Sequence, residues 1–246
     1  MSCCSICLIL AAGQGTRMKS DLAKVLHPLC GKPLVEHVVR SAQKAGITKT
    51  IVVVGHQAET VKASLSGLGV EFVMQQPQKG TGHAVMQALP IIENFTGELL
   101  VLYGDVPLIR PETIKILLKK HHDEENACTM LTTIIEQPAS YGRIIRDQNG
   151  AVAKIVEAKD ASSEELAVKE INPAIYAFDN QKLVKALDEL TPNNKQGEYY
   201  LTDVIGIFKQ QGKKIAAQIV ENSREVLGIN TPEELAECEK YLGTNV

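Results

Sequence analysis

Two glycines, an arginine and a lysine lie close together near the amino terminus, in "LILAAGQGTRMKSDLAKVL". Ala11, Ala12, Gly13 and Gly15 are small enough to let backbone N–H groups approach an anion closely. Arg17 adds a forked cation suited to bidentate phosphate contact, and Lys24 adds a compact second one. The chemistry on offer is phosphate binding. Neither of the two commonest phosphate loops fits. A dinucleotide fingerprint needs G-x-G-x-x-G, but Met18 occupies its third glycine position. No G-x-x-x-x-G-K-[ST] string occurs anywhere in the chain. A tight turn with Arg17 on a solvated surface is the structural alternative.

A second candidate is Asp105 in "YGDVP", just past the apolar run that ends near Leu102. A carboxylate at the carboxyl end of a strand is a good hard-oxygen ligand for Mg²⁺, which keeps waters and bridges phosphates. A turn residue ahead of Pro107 is the plainer reading. Cys4 and Cys7 form a C-x-x-C, but no second pair partners it. Cys3, Cys4 and Cys7 therefore read as reduced thiols packed at the start of a strand. His121-His122 has no partner at ligand spacing and reads as a solvated helix end.

These residues need a scaffold. Of the 246 residues 44% are hydrophobic and 22% charged, with a net charge of -3. That composition suits a globular fold and shows no basic block for nucleic acid. The apolar run Ile6 to Ala12 is too short for a membrane span and lacks a basic flank, so the expected location is cytoplasmic. Strands are expected at Ile6–Leu10, Thr50–Val54, Val70–Met74 and Glu98–Leu102. Helices are expected between them, at Pro33–Ala45, Gln57–Leu65 and Gly82–Leu89. That alternation predicts a mostly parallel sheet with helices on both faces. Arg143 to Glu157 reads as a hairpin around Asn149-Gly150. A strand over Lys169–Phe178, helices over Asn180–Leu190 and Leu201–Gln211, and strands in "KKIAAQIV" and "EVLGIN" follow. Thr231 then caps a last helix with Pro232 in its first turn.

The segment "LILAAGQGTRMKSDLAKVLHPLCGKPL" resembles the signature of nucleotide-sugar pyrophosphorylases. In detail it is similar to the uridylyltransferase domain of the bacterial bifunctional N-acetylglucosamine-1-phosphate uridylyltransferases. The likeness continues in order through "QQPQKGTGHAV", "LYGDVPLI", "YGRIIRD", "IVEAKDA", "KEIN", "QGEYYLTDVI" and "EVLGIN". It implies an α/β fold with a Rossmann-like, mixed but mostly parallel sheet. It implies nucleotidyl transfer, in which a sugar-1-phosphate oxygen attacks the α-phosphorus of UTP and pyrophosphate leaves. The product would be UDP-N-acetylglucosamine, a cell-wall precursor, with Mg²⁺ as cofactor and no nucleic-acid or membrane partner. Such chemistry asks for alignment and charge neutralisation, not for a protein nucleophile.

By resemblance, Arg17 and Lys24 serve catalysis, and Asp105 and Asn230 hold the metal. Leu10, Ala11, Ala12, Gly13, Tyr103 and Gly104 join Lys24 around the nucleotide. Gln75, Gln78, Gly80 and Thr81 belong to the uridine side. A glutamine amide can donate to and accept from the imide edge of uracil. His83 reads as structural. Gly142, Glu157, Asn172, Tyr200 and Thr202 belong to the sugar side. One domain over 1–246 is expected, with a nucleotide half at about 1–110 and a sugar half at about 111–230. No hexapeptide repeat occurs, so the family's acetyltransferase domain is not expected within it.

The chain departs from the family pattern at Pro173-Ala174, where Thr-Gly is usual after "EIN". Proline biases Asn172 toward an extended conformation, and the added methyl narrows the pocket floor. This bears on which sugar is accepted. Thr231-Pro232 also departs from the usual pair after Asn230. A catalytically silent nucleotide-binding module would have lost the phosphate and metal residues, whereas Arg17, Lys24, Asp105 and Asn230 are all present.

Overall fold

The computed structural model describes residues 4–243; Cys3 lies outside them. Strand β1 (Ser5–Ala11) is covered on both sides. Cys7, Ile9 and Ala11 pack into one apolar cluster, and Ile6, Leu8 and Leu10 into the other. A strand buried on both faces reads as an unbroken apolar run, which is why it was legible. Cys7 packs as expected, but Cys4 is exposed, and both are free thiols.

Two short 3₁₀ turns, Thr16–Met18 and Lys24–Leu26, follow the glycine loop. The hairpin β2 (Pro28–Leu29) and β3 (Lys32–Pro33) leads into α1 (Leu34–Lys44). Pro33 sits at the N-cap, one place earlier than expected. β4 (Lys49–Val54), α2 (Ala58–Ser64) and β5 (Glu71–Met74) continue the alternation. The helix expected over Gly82–Leu89 is divided into α3 (Thr81–Met86) and α4 (Leu89–Ile92). Pro90 lacks an N–H and would crowd the carbonyl of Met86, so one helix cannot run through. β6 (Glu98–Tyr103) then ends at the site.

α5 (Pro111–Asp123) and β7 (Cys128–Ile134) are the elements to which the sequence reading gave only a helix end. His121 is a correction. It is buried on the same face as Ile114 and Leu117, with Nδ1 3.1 Å from Thr129 Oγ1. His122 alone is solvated. β8 (Gly142–Arg146) and β9 (Val152–Val156) form the expected hairpin. After α6 (Ser163–Leu166) come β10 (Glu170–Asn172) and β11 (Tyr176–Asp179). α7 (Asn180–Leu187), α8 (Asp203–Gln210), β12 (Ile215–Ile219) and α9 (Pro232–Gly243) complete the chain.

The sheet order is β5-β4-β1-β6-β11-β7, with β12 beside β7 and β10-β8-β9 branching from it. β4, β5 and β6 run parallel to β1, and β11 is antiparallel between β6 and β7. α1, α2 and α5 cover one face, and α3, α4, α7 and α8 the other. This is the expected α/β fold with a mixed, mostly parallel sheet.

Two local departures matter for the site. The strand expected over Lys169–Phe178 is broken. Ile171 faces Thr133 and Tyr176 faces Met130, so five steps on one strand span three on the other. The two surplus residues form a bulge at Pro173-Ala174. "EVLGIN" forms no strand. Ser223–Glu225 is a 3₁₀ turn, and the following backbone bonds to the site instead: Ile229 N–H donates to the Asp105 carbonyl at 2.8 Å.

Candidate active site

The sheet order reverses at β1, with β4 on one side and β6 on the other. In open α/β sheets, ligands bind outside the carboxyl ends of strands at such a switch point. A cleft opens there in two adjoining chambers of about 280 and 290 Å³. Lys24, Thr81, Tyr103, Asp105 and Glu198 line both.

The first chamber is walled by Leu10, Ala11, Ala12 and Gly13 from the end of β1, and by Gln75, Gln78, Gly80 and Thr81. A Cβ on Gly13 would meet nothing within 4 Å, so the loop leaves open space at that residue. Gly15 has a different reason. Its φ is +72°, and a Cβ there would lie 2.3 Å from Lys24 Cβ. The glycine lets the loop press against the Lys24 backbone and so places that side chain. Gln78 Nε2 donates to the Ala12 carbonyl at 2.9 Å. Gln75 is buried, and its Nε2 donates to the Gly80 carbonyl at 2.9 Å and lies 3.2 Å from His83 Nδ1. With His83 Nδ1 unprotonated, both amide hydrogens are used inside the protein. The group left for a ligand is the carbonyl oxygen, an acceptor only.

The second chamber holds the charged centre. The Lys24 ammonium donates to Asp105 Oδ2 and, at 3.1 Å, to Asn230 Oδ1. Arg17 donates to Asn230 Oδ1 at 2.8 Å with one nitrogen and to Ser140 Oγ at 2.9 Å with another. Asp105 and Asn230 are each 9% exposed. Asn230 is aimed by its neighbours: Nδ2 donates to the Gly228 carbonyl at 3.0 Å, and its backbone N–H donates to Glu234 Oε2 at 2.6 Å. Thr231 caps α9 as expected, its hydroxyl accepting from Glu234 N–H at 3.2 Å. Two hard oxygens, Asp105 Oδ2 and Asn230 Oδ1, already share one cation, the Lys24 ammonium. A donor pair of that kind suits a divalent cation that keeps most of its waters. Among the described residues no cluster of three or more His, Cys, Asp or Glu offers a competing metal site.

Residues 7–204 match the model of the MobA-like NTP transferase domain family. The chain belongs to this family. It is 51% identical over 235 residues to the bifunctional protein GlmU of Bacillus subtilis strain 168. It is 53% identical over 235 residues to the bifunctional protein GlmU of Geobacillus sp. strain WCH70. Both matches cover 96% of this chain and 51% of the relative, so the chain spans about half the length of these relatives. A UDP-glucose pyrophosphorylase solved with UDP-glucose superposes with a TM-score of 0.79 at 20% identity, covering 98% of this chain and 99% of that one. It shares the fold.

In this NTP transferase chain the far wall carries Gly142, Glu157, Asn172 and Tyr200. Glu157 is held by the Thr202 hydroxyl, which donates to Oε1 at 3.1 Å. Burial raises the Glu157 carboxyl above the usual carboxylate range, and that hydrogen bond offsets part of the rise. Asn172 Nδ2 donates to the Tyr176 hydroxyl at 2.6 Å, and Oδ1 accepts from Ala174 N–H at 3.0 Å. Ala174 has a φ of +64°, the left-handed region that favours glycine.

Two expected contact residues do not line the cleft. Gly104 lies behind it, where a Cβ would meet Val25, Ala11 and Val35 at 3.1–3.3 Å; its smallness serves packing. Thr202 acts through Glu157. The run Gly80-Thr81-Gly82 is also close to protein, not only to the cleft. A Cβ on Gly80 would lie 2.5 Å from the Tyr199 carbonyl, and one on Gly82 would lie 2.7 Å from Leu190 Cδ1. His83 is structural, bracketed by Gln75 and Gln87, and burial, then Lys79, lowers its pKa.

Sequence reasoning missed Ser140, Tyr141, Gln196, Glu198 and Gly228. Tyr141 and Gly228 sit inside the quoted strings "YGRIIRD" and "EVLGIN", one residue before and two before a residue already singled out. Gln196 and Glu198 likewise sit inside "QGEYYLTDVI", four and two residues before Tyr200, whereas Ser140 carried no local signal.

Proposed function

We propose that the chain transfers a uridylyl group from UTP to N-acetylglucosamine-1-phosphate, forming UDP-N-acetylglucosamine and pyrophosphate. The observation that carries this reading is the convergence of Arg17, Lys24, Asp105 and Asn230 where the two chambers meet. The named relatives support it. The nucleotide would lie in the chamber under β1, with the sugar in the chamber walled by Glu157 and Asn172. The acceptor carbonyl of Gln75 suits the N3–H donor of uracil and opposes the N3 acceptor of cytosine.

An oxygen of the sugar-1-phosphate forms a bond to the α-phosphorus, and the bond from that phosphorus to the bridging oxygen of pyrophosphate breaks. The nucleophile is ionised at neutral pH, so no protein base is needed. The thiols of Cys7 and Cys128 are unsuited to covalent work, because burial raises both pKa values. Arg17 spreads its fork over the leaving pyrophosphate, and Lys24 turns from Asp105 toward the α-phosphate. Mg²⁺ held by Asp105 and Asn230 would supply further positive charge at the phosphates. One preorganised donor of this kind is worth roughly 10²–10³ in the chemical step.

The test is pyrophosphate release from UTP and Mg²⁺ with N-acetylglucosamine-1-phosphate, glucosamine-1-phosphate and glucose-1-phosphate in parallel. Release with the first alone is expected. Release with another sugar alone would move the substrate assignment to the wall altered by Pro173-Ala174. Release with none would overturn the transferase reading in favour of a binding module.

A further inference from the structure

We propose that Tyr141 is a positioning residue for the Asp105–Asn230 pair, through which the sugar-side loop sets the spacing of the two metal-binding oxygens. The inference rests on the reading of that pair as a divalent-cation site. Tyr141 lies one residue before Gly142, which lines the sugar chamber. Its hydroxyl accepts from Gly228 N–H at 3.0 Å and lies 3.4 Å from the Gly228 carbonyl, toward which it donates. That same carbonyl receives the Asn230 Nδ2 hydrogen that turns Oδ1 toward Lys24 and Arg17. Gly228 also abuts Asp105: a Cβ added to it would lie 3.2 Å from Oδ2. One phenol therefore brackets the residue that touches one ligand and orients the other.

The bracket is itself held. The buried Arg143 guanidinium donates to the carbonyls of Tyr141 and Ala139. Ser140, between them, accepts from Arg17. The loop 138–142 thus reaches the phosphate cation, the metal pair and the sugar wall together. Burial pushes the Tyr141 hydroxyl up to about 12, so it stays protonated and can donate and accept at any working pH. A phenol placed only for packing would not need both backbone polar groups of one residue.

The test measures metal binding without nucleotide, which chelates metal itself. Lys24→Met frees the pair of its ammonium, and Mn²⁺ binding is followed by electron paramagnetic resonance. One Mn²⁺ is expected in Lys24→Met, lost on adding Asp105→Asn. Adding Tyr141→Phe instead should weaken Mn²⁺ by about 10-fold, the lower end for groups that orient a ligand. Gly228→Ala, with Tyr141 intact, should weaken it similarly, and a thermal melt of each variant reports folding separately. Unchanged Mn²⁺ affinity in the Tyr141→Phe protein would overturn the proposal while sparing the metal reading, even if the melt shifted. Mn²⁺ binding indifferent to Asp105→Asn would overturn the metal reading and this proposal with it.

Discussion

Lys24 occupies the place where a metal's charge would sit. Its ammonium bridges Asp105 and Asn230, with only 18% of its side chain and 12% of the Asp105 side chain exposed. A divalent cation must displace it. A charge-assisted hydrogen bond contributes about 1.5–3 kcal/mol, so the displacement should weaken the metal by about 10-fold or more. A site of one carboxylate and one amide oxygen, freed of the ammonium and left only with the Arg17 hydrogen bond to Asn230 Oδ1, is taken to bind with a dissociation constant of about 1 mM, the weak end for oxygen sites. At about 10 mM Mg²⁺ that corresponds to about 1.4 kcal/mol of stabilisation. In a chain of this size the melting temperature rises by about 3–6 °C. The competing lysine reduces the gain to about 0.4 kcal/mol, or about 1 °C. Lys24→Met should therefore melt lower than wild type without metal, because it strands a largely buried carboxylate, and should respond more strongly to Mg²⁺. The assay is a thermal melt over a Mg²⁺ series, with Asp105→Asn as the control that abolishes the response. Equal Mg²⁺ shifts in wild type and Lys24→Met would refute the idea that the ammonium stands in for the metal.

Three other outcomes follow from named contacts. Gly15→Ala should lower stability by at least about 1–2 kcal/mol, from the left-handed φ alone, while Gly13→Ala should stay within about 0.5 kcal/mol yet bind UTP more weakly; calorimetry of both resolves this, and equal losses of stability would contradict the assignment. Glu157→Gln should raise the melting temperature near pH 8 and raise KM for the sugar phosphate. The sign is set by burial, which lifts the folded-state pKa: the penalty is absent where the unfolded carboxyl is protonated and complete above the folded value, so the gain should fade toward pH 4, and a pH-independent gain would count against it. Arg17→Lys should lower kcat by on the order of ~10² with little change in melting temperature, because Arg17 is exposed and one ammonium cannot span Ser140 and Asn230; a large drop in melting temperature with kcat preserved would reverse the assignment.

The strands were legible because their signals are local. Ile6–Leu10 and Thr50–Val54 are apolar runs, and a sheet buried on both faces needs such runs. Asn149-Gly150 announced its hairpin through turn chemistry alone, and Gly150 takes a φ of +78°. Reading failed where the partner is far away in sequence. "EVLGIN" has strand-like residues, but its backbone is claimed by Asp105 and Tyr141, 124 and 87 residues distant by position number. Val226 and Ile229 are buried by different clusters, as in an irregular segment pressed into a core. Gly80 and Gly104 read as ligand glycines; Gly80 lines the cleft and also abuts Tyr199, while a Cβ on Gly104 would meet Val25. Nothing near those glycines in the chain distinguishes a packing need from a substrate need. Ser140 was invisible for the same reason, since its link to Arg17 spans 123 positions.

The departure at Pro173-Ala174 was visible in the sequence, but its consequence was not. Proline and the lost glycine suggested a changed pocket floor. The structure adds a bulge of two residues, and bulges beside active sites commonly re-aim a side chain. Here the side chain is Asn172. Its own carbonyl oxygen accepts the Ala174 N–H, an Asx turn that supports a left-handed alanine costing roughly 1–2 kcal/mol. Its Nδ2 is tied to Tyr176. Each end of the amide therefore keeps one further hydrogen-bonding position, a lone pair on Oδ1 and a hydrogen on Nδ2. The amide that would grip a sugar hydroxyl is thus fixed by the backbone N–H of Ala174, which a glycine there would also offer, and by the Tyr176 hydroxyl. Backbone held against its preference is expected where the surrounding contacts over-determine it, and at this wall the contacts that do so belong to Asn172 itself.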